Sequence, residues 1–282
     1  MRRVKIFTNS CCDLSPALAE KLGVTLIPDT IVFEGREYRT NIDITPPEIY
    51  DMMDSSLKLP TTSHPNISVY EECFRSCGEC DEILCLTITS KMSGTYSTAC
   101  TSADMLKQKG FAPSIYIYDS MQVSYGLSLM VVMAAALADK GLPAVAIISE
   151  LDRTKQKIGV YFLMQSLKNA KKGGRVGAIR TLAADILGVK PLLVFRDGLV
   201  RDAGIMRNYP EGLNAIVEKY RSGAKYGGTV FIFHTDDLPD AQSVATRIRE
   251  IDPAADIHIE WVGAAIGIYT GRGCVGISFI EK

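Results

Sequence analysis

The chain has 282 residues, 47% of them hydrophobic and 22% charged, and its formal net charge is −1. That length suits one large domain or two smaller ones with a substantial core, and the composition excludes disordered, collagen-like and coiled-coil chains. No run of like charge is present to neutralise phosphates or hold a lipid surface, which argues against nucleic-acid binding and polybasic membrane anchoring.

The start, MRRVKIFTNS, enters a strand-like run with no long apolar leader, so a cytoplasmic protein is expected. Residues 4–8 read as a strand. Asp13-Leu14-Ser15-Pro16 then opens a helix with proline just inside it, ending near Gly23. Residues 24–27 resume as a strand. Thr45-Pro46-Pro47-Glu48 starts another helix, and the stretch from Ser68 to Glu71 has capping-box spacing. A strand at 82–88, a helix at 94–109, a strand at 114–119, an apolar helix after Tyr125 and a helix after Pro143 complete the first half. This alternation predicts a parallel sheet covered on both faces.

Residues 120–138 are 19 positions without a charge, close to the roughly 20 that cross a bilayer. Gln122, Ser120, Ser124, Ser128, Gly126 and many small residues favour an interior helix instead, and no membrane span is expected.

The second half has a different texture. Residues 190–195 and 199–205 flank Arg196-Asp197-Gly198, a hairpin signal. Helices at 210–221 and 238–251 alternate with strands at 229–234, 256–262 and 274–280. Hairpin strands mixed with helices predict a two-layer arrangement. The expected fold class is α/β in two domains. A three-layer α/β/α domain with a parallel sheet spans 1–160, and a smaller two-layer α/β domain with a mixed sheet spans 161–282.

Eight cysteines (Cys11, Cys12, Cys73, Cys77, Cys80, Cys85, Cys100 and Cys274) in a long chain without an export signal are expected to be reduced. Cys77 and Cys80 form a C-x-x-C, the pattern of zinc sites and thiol exchange. No second pair exists, and His64, His234 and His258 are scattered, so no metal is expected.

Several short segments of small hydroxylated residues or glycine end strand-like runs: Thr8-Asn9-Ser10, Thr61-Thr62-Ser63-His64-Pro65, Ser93-Gly94-Thr95-Tyr96 and Gly271-Arg272-Gly273. Ligands of open parallel sheets bind beyond the carboxyl ends of the strands, where such loops converge. Ser93 stands at the start of the helix at 94–109, where free N–H groups and the helix dipole suit an anion. The same position also reads as a plain N-cap serine.

Together these segments resemble the DegV family over essentially the whole chain. The motifs that carry the resemblance are Thr8-Asn9-Ser10-Cys11-Cys12-Asp13-Leu14, Thr62-Ser63-His64-Pro65, Ser93-Gly94-Thr95-Tyr96, Gly173-Gly174-Arg175 and Gly267-Ile268-Tyr269-Thr270-Gly271-Arg272-Gly273. The resemblance implies a bacterial protein that binds one long-chain fatty acid, such as palmitate, stearate or oleate, between its domains. It implies a non-catalytic role in phospholipid metabolism, without a cofactor, in which a separate fatty acid kinase phosphorylates the presented carboxylate. Thr62 and Ser93 would meet that carboxylate, with Thr95, Thr270 and Arg272 in the same loops. Tyr269 stands where the family has a histidine, Arg272 replaces a proline, Asn9 an aspartate and His64 a glutamine. Arg175 and Arg207 are placed on the face that meets the kinase, although both also read as ordinary surface arginines. Residues 127–137 and Phe162-Leu163-Met164 are candidate linings for the acyl chain, and ordinary core explains them equally.

Three other readings remain. Ser93 and His64 could act as nucleophile and base of an acyl hydrolase, but the segment lacks G-x-S-x-G and nothing fixes a carboxylate to orient His64. Cys77 and Cys80 could form a thiol or metal module, and the bound lipid could be of another kind. No G-x-x-x-x-G-K-[ST] loop is present for ATP.

Overall fold

The computed structural model describes residues 4–56, 58–175 and 188–282; residues 1–3, where the opening strand-like run begins, lie outside them. Along the chain the elements are β1 (Val4–Asn9), α1 (Pro16–Lys21), β2 (Val24–Ile27), β3 (Thr30–Phe33), β4 (Arg36–Arg39), α2 (Pro46–Asp54), β5 (Thr61–Ser63) and α3 (Ile67–Arg75). Next come β6 (Glu82–Thr87), α4 (Thr95–Gln108), β7 (Ser114–Asp119), α5 (Ser124–Asp139), α6 (Ala144–Thr154), β8 (Ile158–Leu163) and α7 (Lys168–Lys172). The remainder is β9 (Lys190–Arg196), β10 (Leu199–Met206), α8 (Tyr209–Gly223), β11 (Thr229–His234), α9 (Leu238–Ile251), β12 (Asp256–Trp261), α10 (Ala264–Thr270) and β13 (Val275–Ile280).

Four strands form the predicted parallel sheet, in the order β2-β1-β6-β7. Alternate side chains face opposite layers. Phe7, Ile83 and Cys85 pack with Tyr70 and Phe74 of α3 and Ala99 and Leu106 of α4. Val4, Ile6, Leu84 and Leu86 face the core that α5 and α6 complete. Burial on both faces explains why these strands read as apolar runs rather than as an alternating pattern.

The second sheet runs β10-β9-β8-β13-β11-β12 and is antiparallel except at the β11–β12 pair. Its hairpin turns at Asp197 and Gly198, both at positive φ (53° and 79°), as a two-residue turn of this hand requires. One face packs under α8 and α9, where Leu163, Ile232 and Ile277 meet Ile216, Val217 and Val244. The other face carries Val160, Phe162, Phe195, Phe231 and Phe233 toward α5. Helix α5 touches strands of both sheets, which accounts for its uncharged, all-round apolar sequence. No helix among the described residues is long and apolar enough to cross a membrane.

A third sheet, β4-β3-β5, was not anticipated. It is antiparallel and turns at Glu34 and Gly35, both at positive φ (50° and 80°). Ile31 of β3 packs with Ile49 and Tyr50 of α2 and Ile268 of α10. Helix α10 comes so close to α2 that a Cβ at Gly267 would lie 2.3 Å from the Tyr50 hydroxyl oxygen. That hydroxyl donates to the Val262 carbonyl at 3.0 Å.

Helix starts differ in detail. Thr45 and Glu48 form a full capping box on α2. On α3 the cap is Asn66, whose side chain accepts from the Val69 N–H at 3.1 Å, instead of the expected box from Ser68 to Glu71. Glu71 is engaged elsewhere, paired with Lys109 at 2.7 Å.

Candidate functional site

The loops after β1, β2 and β6 gather at the carboxyl edge of the parallel sheet and meet β5 and α10. They enclose a cavity of about 390 Å³ whose wall includes Cys11, Asp29, Thr62, His64, Ser93 and Tyr269. Thr62 lies on β5, held in register by pairing with Ile31 of β3. Its Oγ1 is 2.6 Å from the Tyr269 hydroxyl. Ser93 stands one residue before the Gly94 N-cap of α4, so it is not itself the cap. Its Oγ accepts from the Thr95 N–H at 3.3 Å and shares a 2.7 Å hydrogen bond with Thr95 Oγ1.

A second cavity, of about 90 Å³, adjoins the first and is walled mainly by apolar side chains. Met92, Val123, Arg175, Ile266 and Tyr269 border both. Phe162, Leu193, Phe195 and Phe233 extend the apolar wall across the second sheet. Of the expected lining, Phe162 and Met164 face this cavity, while Leu163 points to the opposite layer. Within residues 127–137, Leu127, Met130, Val131 and Ala134 are buried core of α5, Ala136 is exposed, and of that helix Ser124 is the residue that borders the cavity.

Two carboxyls lie under this site. Asp29 Oδ2 accepts from Ser10 Oγ at 2.7 Å and from Asn9 Nδ2 and the Cys11 N–H at 3.1 Å each. Burial raises its pKa, and these donors partly offset the rise. The amide at position 9 suits this place, because it donates to Asp29 while its own oxygen accepts from the Ile88 N–H at 3.1 Å. Burial, and then the nearby Asp29, push the Cys11 thiol well above its ordinary pKa. Asp13 accepts from Ser124 Oγ at 2.5 Å, and its other oxygen faces Gly263 with no hydrogen bond of full geometry. Burial pushes it up to about 8.

The structure brings Thr62, Ser93 and Tyr269 together, with Thr95 buried behind Ser93. Thr270 borders the apolar cavity and spends its hydroxyl on the Gly267 carbonyl at 3.3 Å. Arg272 is not on either cavity wall. Its guanidinium binds Asp51, Asp54 and Asp236, and it lines a neighbouring cleft with Lys58, Lys168 and Lys172. Arg175 is at the junction of the two cavities, its guanidinium 5.4 Å from the Tyr269 ring centroid. Arg207 has a 91% exposed side chain, 4.0 Å from Glu211. His64 is exposed and lies against Gly94, while Ser93 Oγ bonds Thr95. The eight cysteines are free thiols, and burial with its neighbour Cys77 pushes Cys80 up to about 12. Among the described residues no group of three or more His, Cys, Asp or Glu could hold a metal.

Sequence reasoning missed Asp29, Cys11 and Ile266. Asp29 had a usable signal, since it follows β2 at the carboxyl edge where ligands of parallel sheets bind. Ile266 had none, because α10 is short and carries a glycine at its centre.

The fold is thus α/β, with an apolar cavity adjoining a hydroxyl-lined one. The chain belongs to the DegV family, whose model, described as "Uncharacterised protein, DegV family", matches residues 3–282. It is 28% identical over 287 residues to a DegV domain-containing protein of Halalkalibacterium halodurans, covering 100% of each chain. A fatty-acid-binding DegV family protein from Thermus thermophilus superposes with a TM-score of 0.89 at 26% identity, covering 99% of this chain and 100% of that one. A stearic-acid-binding protein from Eubacterium ventriosum gives 0.88 at 27% identity, with 99% and 98% covered.

Proposed function

We propose that this chain binds one long-chain fatty acid, its carboxylate at the hydroxyls of the larger cavity and its acyl chain running from there into the apolar one. The observation that carries the reading is the junction of the two cavities at Tyr269, where polar lining gives way to apolar. Each buried methylene contributes about 0.8 kcal/mol, so a sixteen-carbon chain gains on the order of 10 kcal/mol before ordering costs. Thr62 and Ser93 donate to the carboxylate, Tyr269 orients Thr62, and Thr95 orients Ser93. The N-terminal N–H groups of α4 and the Arg175 guanidinium favour the negative charge. Arg272 acts at one remove, tying the end of α10 to α2. The two solved relatives named above bind fatty acids, which supports the same ligand class here.

In this reading the ligand lies between a unit spanning 1–160 and one spanning 161–282. The protein acts in the cytoplasm as a non-catalytic carrier without a cofactor, and a separate kinase phosphorylates the exposed carboxylate. Organic extraction of the purified protein followed by mass spectrometry should yield about one fatty acid per chain, the stoichiometry of a single pocket. Absence of any lipid, together with no uptake of added palmitate or oleate, overturns the reading.

A further inference from the structure

The floor of the apolar cavity is one row of side chains across the second sheet. Leu193, Phe162, Gly276 and Phe233 lie side by side on β9, β8, β13 and β11. Leu193, Phe162 and Phe233 border the cavity, and the glycine sits between the two phenylalanines. A Cβ on Gly276 would lie 2.4 Å from Cε2 and Cζ of Phe233 and 2.7 Å from Cβ of Phe162. The edge of the Phe233 ring therefore occupies the space that any other residue at 276 would need.

A displaced Phe233 ring has few directions open to it. Tyr125 stacks on it, with centroids 5.2 Å apart and planes 15° from parallel, and Tyr125 is itself fully buried on α5. Phe162 Cβ closes the other side of the glycine. Close-packed interiors do not absorb a methyl group without moving something. What can yield is the empty volume above the floor.

We propose that Gly276 sets the depth of the apolar cavity and, with it, the length of acyl chain accepted; the second clause rests on the fatty-acid reading above. Gly276 is not itself on the cavity wall. It is a positioning residue that lets Phe233 lie flat on the sheet, and a side chain there lifts the ring into the space used by the far end of a long chain.

The test compares wild type, Gly276→Ala, Phe233→Leu and the double variant in binding to benzene, decanoate and palmitate, with thermal unfolding as the control. Gly276→Ala is expected to lower the palmitate-to-decanoate affinity ratio about tenfold or more, the discrimination that one misplaced methylene brings in an apolar pocket. Adding Phe233→Leu should restore the ratio to within about threefold, because the two positions are coupled by contact. Benzene, which reports the cavity without a head group, should lose affinity in Gly276→Ala and regain it in the double variant. An unchanged ratio in a folded Gly276→Ala overturns the proposal, as does equal loss for both acids. If that variant does not fold, Phe233→Leu alone should raise both the ratio and benzene affinity, and no change in either overturns it. If wild type binds neither acid, the fatty-acid reading fails, and the benzene series then decides whether Gly276 sets the depth.

Discussion

The Thr62 and Tyr269 hydroxyls, 2.6 Å apart, share one hydrogen bond. Only one of their two protons is used between them, which leaves the other to point into the cavity. Thr62→Ala with Ser93→Ala should weaken fatty-acid binding by about 1.5–3 kcal/mol per lost donor, with the fold intact. Calorimetric titration alongside thermal unfolding checks this, and unchanged affinity in a folded double variant removes both residues from the site. Asp13 gives a pH prediction. Its folded carboxyl titrates at about 8 because of burial, whereas an unfolded aspartate titrates near 3.9. Between those values folding must take up a proton, so this group's contribution is most favourable at the acid end and is lost as pH rises to about 8. The span is at most about 6 kcal/mol. Asp13→Asn mimics the protonated acid and tolerates the observed φ of 64°. Urea unfolding from pH 5 to 8 should show a smaller loss of stability in this variant than in wild type, and parallel curves refute the assignment. At this scale Thr62 and Ser93 were legible as hydroxyls in short segments that end strand-like runs, whereas Tyr269, on the short helix α10, was reached only through the family resemblance. Arg272 was not, since three aspartates from distant parts of the chain claim it.

The long elements declared themselves through composition and punctuation, as with α4, α5 and the hairpin at Asp197-Gly198. The short ones did not. The β3–β4 hairpin offers only Glu34-Gly35 as a turn signal, and α7 and α10 are five and seven residues long, too short for an apolar period to show. Yet β5 and α10 supply Thr62 and Tyr269, so much of the candidate site rests on elements with little sequence signature. Helix α5 is the tie between the sheets. Its Tyr125 hydroxyl lies 2.7 Å from the Asp13 carbonyl and 2.6 Å from the Trp261 carbonyl, one from each half of the chain. Tyr125→Phe should destabilise the protein by about 1–3 kcal/mol, because buried carbonyls lose their donor. A denaturation midpoint equal to wild type contradicts that role.

For the whole molecule, a ligand that binds only the folded chain stabilises it by mass action. Free palmitate at 100 times its dissociation constant adds about 2.7 kcal/mol, which raises the melting temperature of a chain this size by about 5 °C. Melting of delipidated protein with and without palmitate tests this, and identical curves refute it. The proposed kinase step makes a separate demand. Arg207→Glu should reduce acyl-phosphate formation by the cognate kinase while leaving fatty-acid affinity unchanged, as expected of an exposed charge that meets a partner. Arg175→Glu should impair both, because that residue borders the cavities. Lipid loss in Arg207→Glu would assign it to the pocket, and full activity would return it to the general surface.

The position of β13 has a consequence for when the protein can work. The parallel sheet has all its strands once Asp119 has emerged from the ribosome, whereas β13, which lies between β8 and β11, follows about 160 residues later. At usual synthesis rates that interval is about 10–30 s. Until then the second sheet lacks a central strand, Phe162 and Phe233 have no glycine between them, and the apolar cavity has no floor. The proposed loading is therefore a property of the finished fold. A nascent chain that stalls before Val275 would expose the aromatic wall with nothing to fill it, and quality control rather than the proposed lipid would meet it first.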